Sequence, residues 1–260
     1  MGPRRRNVSL NPYKGRRVER RPGFSRFIRR CNSVAACTTA HVTRGSLRYH
    51  TRVIDLRIGE FDYRIRALKD RQQFFDPDEE AERAGVPPAM WSIFGQLWPA
   101  GVHLAQEIAK RDVRGLRILE IGCGLALSSL VLRRGGADVT ATDQHPLAER
   151  FLHHNCGLNH VSEVAYCHLD WRDDIDLTLG KFDLIVGSDV LYERNHATLL
   201  SNVIQLYAGT DAEILIADPG RGNCGAWTGA MLAKGFTSTE SRFSVEGRTA
   251  LSGRLMKLHR

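Results

Sequence analysis

Three acids in this 260-residue chain fall in local patterns where contact with a ligand or a reacting group is expected. Glu120 precedes Gly122 by two residues in ILEIGCGLALSSL (118–130), Asp143 closes ADVTATD (137–143), and Asp189 lies in FDLIVGSDVLY (182–192). The first stretch is an apolar run, a Gly-Cys-Gly turn and a second apolar run with helical spacing. Such a turn leads a backbone up to a ligand. No lysine follows Gly122 or Gly124, as a nucleotide-phosphate loop requires. A dinucleotide fingerprint wants a third glycine, and Leu127 stands there instead. Asp143 lies nineteen residues beyond Gly124, where an acid at a strand end accepts hydrogen bonds from both ribose hydroxyls of an adenosine. The alternative is a helix cap ahead of Pro146. Leu169–Trp171 (LDW) offers an acid and a flat apolar ring, or else a surface loop with a half-buried tryptophan.

These residues need a scaffold. Strand patterns fall at Arg117–Ile121, Asp138–Thr142, Val164–His168, Phe182–Gly187 and Glu213–Ala217. Helical patterns around 125–134, 146–158, 195–207 and 224–234 lie between and after them. This alternation predicts an α/β fold, a Rossmann-like three-layer sandwich with a mostly parallel sheet. Phe236–Val245 and Thr249–Leu258, joined through Gly247, predict an antiparallel hairpin at the end. Upstream, Arg52–Leu68 alternates with period two about Gly59, which predicts an N-terminal β-hairpin extension. Residues 76–82 read as a loop or short helix, Pro87 and Pro88 break the chain, and a helix starts near Pro99.

Charge divides the chain. Residues 1–52 hold 14 Lys or Arg and a single acid, Glu19; the remainder holds 23 basic and 28 acidic side chains. The resulting expectation is a basic disordered tail at 1–46, a hairpin and leader helix at 47–115, and a ligand-binding core at 116–260. The tail could bind nucleic acid or an acidic partner, serve as an Arg-rich organelle presequence, or be an extension without a role. No run of eighteen apolar residues suggests a membrane span. Six cysteines without a CxxC pair, and no histidines at zinc spacing from them, read as reduced thiols of a cytoplasmic protein, with no metal site.

The acid–glycine set Glu120, Gly122, Gly124 resembles the first motif of class I S-adenosylmethionine (SAM) methyltransferases, departing at Ala126 where glycine is usual. Asp189 with Tyr192 three residues on resembles the DxxY signature of the protein lysine methyltransferase branch of the seven-β-strand enzymes. That branch includes enzymes acting on calmodulin, on chaperones and on the electron-transfer flavoprotein β subunit. LWPAG (97–101) is similar to that branch's tryptophan-bearing leader, and ADPGR (217–221) to the flavoprotein-modifying subgroup. The resemblance implies seven strands in the sheet and SAM as cofactor, held by Trp98, Glu120, Gly122, Cys123, Gly124, Asp143, Asp170, Trp171 and Ser188. Cys123 would be a small filler whose backbone nears the methionine end. Asp189 would orient the amine, and Tyr192 would wall its channel or simply pack in the core. The partner implied is a lysine-bearing protein met by a monomer. A small-amine or heterocycle methyltransferase and a non-catalytic SAM-binding module are the alternative readings.

Overall fold

The computed structural model describes residues 49–70, 79–83, 85–86, 92–172, 176–244 and 252–260. The expected basic tail at 1–46, the proline break at 87–88 and the turn through Gly247 lie outside the described residues.

The elements follow in the order β1 (Thr51–Ile58), β2 (Phe61–Leu68), α1 (Glu80–Arg83), α2 (Pro99–Ile108), β3 (Arg117–Ile121) and α3 (Leu127–Arg134). Then come β4 (Asp138–Asp143), α4 (Ala148–Leu158), β5 (Ala165–His168), β6 (Phe182–Ser188) and α5 (His196–Tyr207). The chain ends with β7 (Ala208–Asp218), α6 (Cys224–Ala233), β8 (Thr237–Ser244) and β9 (Ser252–His259). Seven strands form one sheet in the order β5-β4-β3-β6-β7-β9-β8. The first five are parallel, and β7–β9 and β9–β8 are antiparallel. The expected sandwich with a terminal hairpin is therefore present. β7 starts at Ala208 rather than Glu213, with a register irregularity opposite Phe182–Leu184.

Alternation along each strand builds two cores. Ile118, Leu184, Val186 and Leu215 face one side, with Leu104, Leu130 and Phe151 from α2, α3 and α4. Leu119, Ile185, Ile214 and Ile216 face the other, with Leu200, Val203 and Ile204 of α5 and Trp227 and Met231 of α6. Side chains two residues apart share a face, so each strand serves both cores.

β1 and β2 pair from Thr51↔Leu68 to Ile58↔Phe61 around a turn at Gly59, where φ is 57°. The hairpin is fastened to α4 by side chains acting as a strand. Asn155 and Asn159 accept the Arg66 and Arg64 backbone N–H groups at 2.8 Å each, and Asn159 donates back to the Arg64 carbonyl. One turn of helix separates the two asparagines, so they meet alternate residues of the same strand. No described helix is long and apolar enough to cross a membrane. The described cysteines, Cys123, Cys156, Cys167 and Cys224, are free and buried.

Candidate active site

Strand order reverses beside β3, whose neighbours are β4 and β6. The loops leaving neighbouring carboxyl ends part there and leave a crevice. The crevice holds a cavity of about 280 Å³ lined by Trp98, Gly122, Gly124, Asp143, Asp170, Trp171, Ser188, Asp189 and Tyr192, among others. Nine of the eleven residues singled out in the sequence thus meet around one space. Glu120 and Cys123 do not.

The turn after β3 forms one wall. Gly122 has φ 66°, and a Cβ there would come within 2.8 Å of Val190. Gly124 has φ 53°, and a Cβ there would meet nothing within 4 Å. The Gly124 backbone is thus open to a ligand. Asp143, at the end of β4, accepts the Gly124 N–H through Oδ2 and the His145 N–H through Oδ1, both at 2.8 Å. Burial raises its pKa, and these backbone donors counter the rise. Each oxygen keeps acceptor capacity for one more donor, as two ribose hydroxyls would need.

Glu120, expected at the cofactor, lies behind the turn and is 2% exposed. It accepts the Ser129 N–H at 2.9 Å and the Ser129 hydroxyl as well. The cause is Ala126, which starts α3 in a left-handed conformation (φ 62°) and has no side chain able to cap it. The acid from β3 satisfies the first turn instead. Burial first, against the Ser129 hydrogen bonds, pushes Glu120 up to about 7. Cys123 is buried too, its thiol raised well above the usual range by burial and by Asp143 and Glu120, so it stays protonated. Ala126 is fully buried and does not line the cavity.

The loop after β5 forms the second wall. Asp170 is half-buried and bound to Arg172 through Nε at 2.9 Å and Nη2 at 2.6 Å. Burial pushes its pKa up, and the Arg172 hydrogen bonds more than offset this, leaving it lowered. Arg172 also reaches the Gly85 carbonyl at 3.4 Å, tying the leader segment to this loop. Trp171 presents its ring edge-on to His196 at 5.1 Å.

The third wall leaves β6. Asp189 adopts φ 55°, unusual for a residue other than glycine, and its N–H donates to the Ala217 carbonyl at 2.8 Å. Its carboxylate, 6% exposed, takes both Nε and Nη2 of Arg221, the latter at 2.9 Å. Tyr192 lies edge-on to His196 at 4.5 Å. Burial, with Asp143, Glu193 and Asp189 nearby, raises the phenol further, so it remains protonated. Trp98 begins α2, donates its indole N–H to the Ile93 carbonyl at 3.0 Å, and lies 5.9 Å from the Arg221 guanidinium carbon.

Several residues lining or flanking the cavity escaped the sequence reading. His145 stacks on Phe94 at 3.9 Å, and burial pushes it down to about 3, so it is neutral. His196 bonds the Val190 carbonyl through Nδ1 at 2.9 Å and is also lowered by burial. A histidine four residues after Tyr192, on the first turn of an apolar helix, was the available signal. Arg221 appeared only within the ADPGR resemblance, with no role.

The chain is similar to known proteins in sequence and in fold. The protein N-lysine methyltransferase METTL21A of Danio rerio is 33% identical over 126 residues, covering 46% of this chain and 58% of that protein. The electron transfer flavoprotein beta subunit lysine methyltransferase of Xenopus laevis is 30% identical over 164 residues, covering 62% of this chain and 63% of the relative. The chain therefore spans about three-fifths of the curated relatives it matches. In fold it resembles a T. thermophilus 16S rRNA methyltransferase solved with AdoMet and guanosine, with a TM-score of 0.57 at 17% identity over 81% of this chain and 50% of that one. A family model described as lysine methyltransferase matches residues 89–224, more than half of the chain, and the chain belongs to that family.

Proposed function

We propose that the protein transfers methyl groups from SAM to lysine side chains of a protein substrate. The observation that carries this is one cavity bringing the Gly122–Gly124 backbone and Asp143 together with Asp189 and Tyr192. The residues fit the cofactor. The open Gly124 backbone suits the methionine end, Asp143 the ribose, and Trp171 with the Asp170 loop the adenine. Bound there, SAM supplies a methyl group already electrophilic at sulfonium.

The chain must bring an amine into line and let it become neutral. Holding two reactants in line supplies roughly 7–11 kcal/mol of a barrier. A lysine amine of pKa ~10.4 is only about one part in a thousand neutral near pH 7.4, a cost of about 4 kcal/mol. A cavity poor in water lowers that pKa. Asp189 and the Tyr192 hydroxyl orient the amine, and the ring of Tyr192 walls its path. The protein is read as a cytoplasmic monomer, a compartment supported by its free cysteines.

Incubation with tritiated SAM and cell lysate tests this. Label in a protein band, lost on Asp189→Ala, is the expected result. Label only in small molecules would favour a small-amine substrate. Binding of SAM without any transfer would favour a non-catalytic module.

A further inference from the structure

We propose that Arg221 is a positioning residue that sets the charge of the amine subsite, clamping Asp189 so that an incoming amine can lose its proton near neutral pH. The proposal rests on the reading of the site as an amine methyltransferase.

An acid that orients an amine works against itself. A bare carboxylate within about 4–6 Å stabilises the ammonium form and moves the amine pKa up by about 1–3 units, while attack requires the neutral amine. The geometry resolves the conflict. Both Asp189 oxygens are taken by the Arg221 fork. Asp189 borders the cavity and Arg221 does not, so the guanidinium comes from outside and leaves the space to the substrate. A planar fork on a carboxylate fixes orientation as well as charge.

The loop bearing Arg221 is built for this position. Asp218, fully buried at the end of β7, accepts the Gly220 and Arg221 N–H groups at 2.7 and 2.8 Å. Two residues on, Asn223 donates to the carbonyls of Leu191 and Glu193 at 2.7 and 3.3 Å. The post-β7 loop thus grips the Asp189–Glu193 segment at two points, and the fork holds Asp189 in its left-handed conformation. The other charged or titratable groups around this subsite are Asp143, Glu193, Tyr192, His145 and His196, with Arg172 tied to Asp170 and Asp218 behind Arg221. Arg221 is the cation bound to Asp189.

The test uses sinefungin, a SAM analogue with an amine-bearing carbon in place of the methyl sulfonium, and S-adenosylhomocysteine as the uncharged control. Calorimetry on the full chain compares wild type with Arg221→Met and Arg221→Lys. Arg221→Met should raise the preference for sinefungin over S-adenosylhomocysteine at pH 7 by about tenfold, the equivalent of one pKa unit. Arg221→Lys, which keeps the charge, should stay within about threefold of wild type. With tritiated SAM and lysate proteins, the pH of half-maximal transfer should rise by about one unit in the Met variant. If Arg221→Met does not fold, Arg221→Gln removes the charge and keeps a donor. An unchanged analogue preference in a folded, charge-free variant overturns the proposal, whatever happens to its melting temperature. A shifted preference without transfer to any protein would sink the lysine reading and leave the clamp standing. Wild type that binds neither analogue would sink both.

Discussion

The two ends of the cavity hold their acids in different ways. At the cofactor end, Asp143 is satisfied by the backbone of Gly124 and His145, while Glu120, behind the turn, takes the Ser129 N–H and hydroxyl. At the amine end, Asp189 is satisfied by a side chain from another loop, thirty-two residues on. Backbone donors cannot be mutated away and cost nothing to place once the turn forms. A guanidinium carries a full charge and a long stem that must be ordered. The cofactor end is a rigid cradle, and the amine end is an ion pair whose parts can be changed singly.

The largest effect should come from breaking the ion pair at its acid. Asp189→Asn keeps the shape and removes the charge that the Arg221 fork matches. Misplacing a reacting group by about 1 Å costs on the order of a hundredfold in rate, and a loss of that size or more is expected in methyl transfer. Affinity for S-adenosylhomocysteine, measured calorimetrically, should stay within about threefold. A parallel fall in cofactor affinity would show that the two ends are not separable.

The converse change is Asp143→Ala. It removes a charged acceptor facing the ribose and frees the Gly124 and His145 N–H groups. Hydrogen bonds to a charged group are worth about 1.5–3 kcal/mol, so affinity should fall roughly ten- to a hundredfold. Unchanged SAM affinity in a titration would remove Asp143 from the ribose site.

Glu120 sharpens the comparison, because it belongs to the cofactor motif and yet its carboxylate is bound by the first turn of α3. Its pKa is raised from 4.5 to about 7, burial being the first cause. The folded state therefore holds the proton more tightly than the unfolded one. Stability from this group is fully present below pH 4.5 and is lost as pH rises towards 7. The span corresponds to about 3 kcal/mol. Glu120→Gln should flatten the dependence of melting temperature on pH between 5 and 7.5 and leave SAM affinity within about threefold. A strong loss of affinity with no change in the pH dependence would return Glu120 to the ligand.

What the sequence made legible follows the same division. Strands β3 to β6 lie within a residue of their patterns, because buried parallel strands read as apolar runs bounded by turns. The cradle was legible because its residues are close in the chain and glycine marks the turn. The Asp189–Arg221 pair was not, since no local pattern says which arginine of a basic chain reaches which acid. The Asn155–Asn159 clasp on β2 was missed for a related reason. Polar residues on a helix face read as solvated until a strand edge is seen beside them. β7 was read too short because Ala-Gly-Thr-Asp (208–211) has the composition of a turn, and pairing with β6 overrides it.

The smallest effect is expected at Ala126. It holds φ 62° and ψ 31° with its methyl fully buried. Left-handed backbone costs a residue with a Cβ about 1–2 kcal/mol, and Ala126→Gly would relieve that. The same change loosens the unfolded chain, costing about 0.4–1 kcal/mol, and removes a buried methyl worth about 0.8 kcal/mol. The three contributions nearly cancel, so stability by chemical denaturation should move by less than about 1 kcal/mol. Cofactor affinity should not change, because Ala126 faces the core and not the cavity. Ala126→Val, which adds bulk and a branched Cβ in the same backbone conformation, should destabilise by more than about 2 kcal/mol. If the glycine variant instead gained SAM affinity, the turn would be strained towards the ligand, and the cradle would be less rigid than its backbone hydrogen bonds imply.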